Sequence, residues 1–220
     1  MGANVYTDCW NEPIHNIDVE GREALPYQYT LMLRYQEEVE YWTYNCYGYA
    51  VADIHPPVLA YPGGWDNFRQ NVIVNTDNPD AQMKYRASYF NSENVANLIC
   101  SDLSSRGIPA AIIQASDLPL FMKFCSGNGY AIMAVRAGHL TPDENGYVNA
   151  TEANFHVILY TDGFWSAKTG LYGPLAYFGT ENDFDPSKDA YWGASGILDD
   201  SETIYIIYRK TDIDKAGQFD

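Results

Sequence analysis

"NFHVILYTDGFWSAKTG", residues 154–170, is the stretch on which the fold reading turns. Apolar and aromatic side chains flank Asp162-Gly163, a dipeptide favoured in the two-residue turn of a β-hairpin. That turn sets a register in which Thr161 faces Phe164, Tyr160 faces Trp165, Ile158 faces Ala167 and His156 faces Thr169. Side chains alternate along a strand, so positions 156, 158 and 160 share one face with 165, 167 and 169.

Around the hairpin lie further β-like runs. "YAIMAVRAG" (130–138) and "TIYIIYRK" (203–210) read as strands, and "AAIIQA" (110–115) is apolar enough for a buried one. "YQYTLMLRY" (27–35) fits a strand or the start of a helix. Helical signals come earlier in the chain. Residues 45–54 read as a short helix that must stop before Pro56-Pro57, because a residue preceding proline avoids the helical region. A longer helix is expected after Ser92 as N-cap, with Glu93 in its first turn and Val95, Leu98, Ile99 and Leu103 on one apolar face. Gly107 and Pro109 close it. Residues 56–79 are rich in Pro, Gly, Asn and Asp and read mostly as loop. Residues 1–25 read as an irregular arm and 26–220 as a single domain. Helices early and strands late imply an α+β fold, with helices packed on an antiparallel sheet.

Composition narrows the function classes. The chain has 220 residues, 46% of them hydrophobic, enough for a proper core. Its net charge of −16 opposes nucleic acid or an anionic membrane as main partner. No apolar run is long enough to span a bilayer and no basic-then-apolar leader opens the sequence. The four cysteines (Cys9, Cys46, Cys100, Cys125) contain no C-x-x-C pair, which argues against structural zinc; two disulfides stay open. Nineteen tyrosines and five tryptophans suit strands, and equally a surface that stacks on sugars or peptides.

Chemistry points to "WTYNCYGYAVAD" (42–53). Asn45 is a strong N-capping residue, which puts Cys46 at the first helical position, where unpaired N–H groups and the helix dipole favour a thiolate. Gly48 inside so short a helix suggests a close approach. A cysteine is also commonly a small buried hydrophobe, and that reading stands beside the nucleophilic one. A nucleophile needs a base. His15 lies in the arm, His55 precedes two prolines and His139 ends a strand; His156, held on the hairpin, is the best candidate, with a satisfied core histidine as the alternative. The hairpin face offers Thr169 as a weak orienting group and Ala167 where a polar ring would help. Asn45, Tyr47 and Trp165 are the expected binding residues around the pair.

The segments "NCYGYA" and "NFHVILYTDGFWSAKTG" together resemble the papain-like cysteine peptidase and amidase superfamily, in particular its bacterial NlpC/P60-like branches. The resemblance covers about a tenth of the chain. It implies a papain-like domain, Cys46 as nucleophile, His156 as base, and a peptide or peptidoglycan-like substrate with no required cofactor. Ala167 departs from the polar ring of a similar bacterial group. The function expected is a thiol hydrolase cleaving an amide; the alternative is a non-catalytic glycan- or protein-binding module on the same fold. "TPDENGYVNATE" (141–152) partly matches a calcium loop through Asp143, Asn145, Gly146 and Glu152, but Thr141 occupies the first ligand place. A polar connection turning at Asn145-Gly146 is favoured, with structural calcium as the lesser reading.

Overall fold

A computed structural model describes residues 30–31, 45–51, 60–73, 84–125, 128–138, 141–149, 154–161, 163–168, 175–180, 184–186 and 202–210. The arm expected at 1–25 lies outside the described residues. The fold mixes helices with antiparallel sheet, as the order of signals implied. Its strands are β1 (Thr30–Leu31), β2 (Val72–Ile73), β3 (Lys84–Arg86), β4 (Ala110–Ile113), β5 (Tyr130–Ala137), β6 (Tyr147–Asn149), β7 (Phe155–Thr161), β8 (Phe164–Lys168), β9 (Leu175–Thr180) and β10 (Ile204–Arg209). Its α-helices are α1 (Cys46–Ala50), α2 (Gly64–Gln70), α3 (Ser92–Ser105) and α4 (Leu118–Cys125). Seven strands form one sheet in the order β1-β9-β8-β7-β5-β10-β4, and β2, β3 and β6 form a second.

The hairpin has the register the turn demands. Thr161 pairs with Phe164, Tyr160 with Trp165 and Leu159 with Ser166, and Gly163 holds φ +87°. β7 and β5 lie in the interior of the sheet, buried on both faces, which is why both read as nearly unbroken apolar runs. Alternation divides them. Phe155, Val157 and Leu159 join Met133, Val135 and Ile206 in a core with Cys46 of α1 and Val95, Ile99 and Leu103 of α3. Ile158 and Tyr160 join Ile132, Ala134, Trp165, Ala167 and Tyr205 on the other face, under Leu118, Met122 and Cys125 of α4.

Several local expectations are corrected. Asn91, not Ser92, caps α3: its side chain accepts from the N–H groups of Glu93 and Asn94. Ser92 is the first helical residue, and its buried hydroxyl accepts from the Ala137 N–H at 2.9 Å, tying α3 to β5. "AAIIQA" supplies β4, but this strand ends the sheet, with Ala111 and Ile112 exposed rather than buried. An apolar run looks alike at the centre and the edge of a sheet. The supposed loop 56–79 contains α2, hidden by its glycines. Gly63 caps it at φ +80°, and a Cβ there would come within 2.9 Å of Leu98 Cδ2, so the position takes glycine on both counts. The first helix is shorter than expected, ending at Ala50 with Val51 as C-cap.

Substituting Asn91→Ala removes the acceptor for two helix N–H groups and should cost about 1 kcal/mol. Ser92→Ala strands the buried Ala137 N–H and should cost roughly 1–3 kcal/mol. Urea unfolding of the two variants is expected to show a lowered midpoint with an unchanged slope.

Candidate functional site

Asn45 has extended backbone (φ −93°, ψ −170°) and its Oδ1 accepts the Gly48 N–H at 2.9 Å, so Cys46 opens α1. The same side chain donates through Nδ2 to the Ala60 carbonyl at 2.8 Å. Tyr47 donates its hydroxyl to Asp102 Oδ2 at 3.0 Å, and the Gly63 N–H meets that same oxygen at 2.9 Å. Burial pushes the Asp102 carboxyl above the usual range, while these two donors pull it back down. Behind the helix, the Tyr208 hydroxyl donates to the Ala50 carbonyl at 2.9 Å. These bonds fix a five-residue helix that has little stability of its own. Asn45 and Tyr47 therefore hold the helix in place, and Tyr47, almost wholly buried, is not a binding surface as expected.

Cys46 has no exposed surface, and its Sγ lies 4.0 Å from the Phe155 carbonyl oxygen of β7. From β8, Ser166 and Lys168 face α1. The Tyr49 and Ser166 hydroxyls are 2.7 Å apart. Lys168 is fully buried; burial drives its pKa down to about 8, and its electrostatic interaction with Cys46 acts in the opposite direction. Charged side chains are almost never buried completely unless paired. The thiol at the start of α1 is one of the groups that act on it.

The expected Cys46–His156 pair is not brought together. His156 alternates with Phe155 and Val157, which pack towards Cys46, and falls on the face of Ile158 and Tyr160. Its cross-strand neighbour is Arg136, whose Nε donates to Thr203 Oγ1 at 2.7 Å and whose Nη2 donates to the Pro186 carbonyl at 3.2 Å. The sheet stands between imidazole and thiol. Hairpin parity groups His156 with Trp165 and Ala167, and that face is the one turned away from α1. Trp165, fully buried in that second core, is likewise not part of a Cys46 site. Thr169, His15, His55 and His139 lie outside the described residues.

The supposed calcium segment spends its aspartate on the turn. Asp143 Oδ1 accepts from the N–H groups of Asn145 and Tyr147, and Oδ2 receives Lys84 Nζ at 2.7 Å. Lys84 and the turn N–H groups hold this carboxyl below its usual range. Among the described residues, no three His, Cys, Asp or Glu gather as a metal site, and Glu152 lies outside them. The residue sequence reasoning missed is Lys168. The signal was available: a lysine in the hairpin whose parity sets it opposite Ala167 and His156.

Searches against protein-family models, curated proteins and solved structures find no match to this chain.

Because the pKa of Lys168 in the folded state (about 8) lies below its ordinary 10.5, the folded protein binds fewer protons between those values. The burial penalty is complete below about pH 8 and fades as pH rises to about 10.5. Lys168→Met should therefore stabilise the protein at pH 7 by up to roughly 3 kcal/mol, offset by lost contact with the thiol. Unfolding curves at pH 7 and pH 10 are expected to show that advantage shrinking at the higher pH.

Proposed function

We propose that this protein is a thiol hydrolase of amide bonds on a papain-like scaffold, with Cys46 as nucleophile and Lys168, rather than His156, as its proton partner. The observation that carries the reading is a fully buried lysine with a lowered pKa facing a thiol at a capped helix start. With a pKa near 8, Lys168 can both release and regain a proton close to neutrality, as an acid–base catalyst must. In this scheme a Cys46 thiolate adds to the carbonyl carbon of the substrate. The Lys168 ammonium protonates the departing amine as the C–N bond breaks, leaving a thioester. The neutral amine of Lys168 then takes a proton from water, which attacks the thioester and releases the acid and the thiolate. The Gly48 N–H is already occupied by Asn45, so the Tyr47 N–H in the first turn is the donor for the developing oxyanion. Substrate class follows the sequence resemblance: a peptide or a peptidoglycan-like crosslink.

A second reading, the non-catalytic binding module, is favoured by the complete burial of Cys46 and by Trp65, half-exposed and lying on Tyr61 with ring centroids 5.2 Å apart. Turnover separates the two. On a panel of peptide and muropeptide amides, Cys46→Ala is expected to abolish hydrolysis and Lys168→Met to lower kcat by 100-fold or more, while His156→Gln stays within a few-fold of the parent. Absence of hydrolysis across the panel, with retained glycan or peptide binding, would favour the module.

A further inference from the structure

We infer that Asp102 is a positioning residue of the Cys46 site: its carboxylate clamps the thiol-bearing helix to segment 60–63 and so sets where Cys46 lies. For turnover this rests on the hydrolase chemistry proposed for Cys46; for thiol reactivity it stands without it. Two hydrogen bonds reach one oxygen. The Tyr47 hydroxyl on α1 donates to Asp102 Oδ2 at 3.0 Å, and the Gly63 N–H, at the start of α2, donates to it at 2.9 Å. Helix and segment are joined a second time, where Asn45 Nδ2 donates to the Ala60 carbonyl at 2.8 Å. The bonds close a frame whose corners are Asn45 and Tyr47 on α1 and Ala60 and Gly63 on the segment. Cys46 is the residue between the two corners on α1.

The other parts of the frame are well anchored. The Pro62 carbonyl accepts from the buried Tyr89 hydroxyl at 2.7 Å. Gly63 lies so close to α3 that a Cβ would come within 2.9 Å of Leu98 Cδ2, one turn before Asp102 on the same helical face. That close approach is what lets a main-chain N–H reach the carboxylate. Asp102 itself stands on a helix whose Val95, Ile99 and Leu103 are buried in the core. By contrast α1 has five residues and little stability of its own, so its position depends on such ties. Burial raises the Asp102 pKa; the Gly63 and Tyr47 bonds, and exposed Arg106 one turn on, lower it. Packing α3 near α1 would need no charge, since an apolar side chain would serve. A carboxylate makes both bonds charge-assisted, which suits a helix start that must be held to a fraction of an ångström.

The test compares Asp102→Ala, Asp102→Asn, Tyr47→Phe and the double variant Asp102→Ala/Tyr47→Phe in the full chain. Asn91→Ala is the control, because it weakens the same helix at its other end, outside the frame. Asp102→Ala is expected to lower kcat about tenfold or more while KM changes little, and Tyr47→Phe to lower kcat several-fold. The double variant should be no worse than Asp102→Ala, since both changes break the same bond. Asp102→Asn keeps an oxygen acceptor and should recover most of the loss. Iodoacetamide alkylation of Cys46 reads the frame without turnover. Asp102→Ala and Tyr47→Phe should each react several-fold faster than Asn91→Ala, as the helix start loosens and uncovers the thiol. If the parent cleaves no amide, the hydrolase reading falls and the alkylation rates alone decide this inference. An Asp102→Ala protein that turns over and alkylates as Asn91→Ala does overturns it, and so do additive losses in the double variant. Should Asp102→Ala fail to fold, Tyr47→Phe, which deletes a single hydroxyl, decides by the same comparison.

Discussion

The two-residue period of β7 governs this molecule. Placed inside a seven-stranded sheet, the strand sends Phe155, Val157 and Leu159 to the side covered by α1 and α3, and Ile158 and Tyr160 to the side covered by α4. Every chemical group on the hairpin is sorted by the same rule. His156 goes with Trp165 and Ala167, whereas Ser166 and Lys168 of the neighbouring strand go with Cys46. A shift of one residue in register would exchange all of these partners, and burial on both faces makes such a shift prohibitively expensive.

Much of the fold was legible because its strands and its longest helix are periodic. The Asp162-Gly163 turn set the hairpin register, and the face of α3 followed from Val95, Ile99 and Leu103. What escaped reading has physical causes. α2 begins at two glycines after a proline, so its local signals are those of a loop until Phe68 stacks on Tyr61. β4 has the composition of a central strand but occupies an edge, a distinction made by neighbours distant in sequence. Asn91 outranked Ser92 as cap because serine was needed to bond Ala137 on β5, a tertiary demand invisible in the segment itself.

The site shows the same division. The helix start at Cys46 was readable from Asn45 alone, since capping is a local interaction. Which strand face meets that thiol was not, because hairpin parity relates residues to each other and leaves open which face receives the helix. The sequence resemblance implied a histidine opposite the thiol; the strand parity sets Lys168 there and His156 on the other face. Burying a lysine is costly unless it is paired, and Lys168 lies on the side of the sheet that meets Cys46. The Arg136 contacts to Thr203 and Pro186, beside His156, fit a structural polar cluster on the far face.

The most direct test of this arrangement is the pH dependence of iodoacetamide alkylation at Cys46, read by peptide mass spectrometry. The parent protein and three variants (Lys168→Met, His156→Gln and Cys46→Ala) would be followed side by side. Mutual attraction between thiolate and ammonium predicts that Lys168→Met moves the alkylation midpoint to higher pH and that His156→Gln leaves it in place. A midpoint that follows His156 and ignores Lys168 would contradict the account.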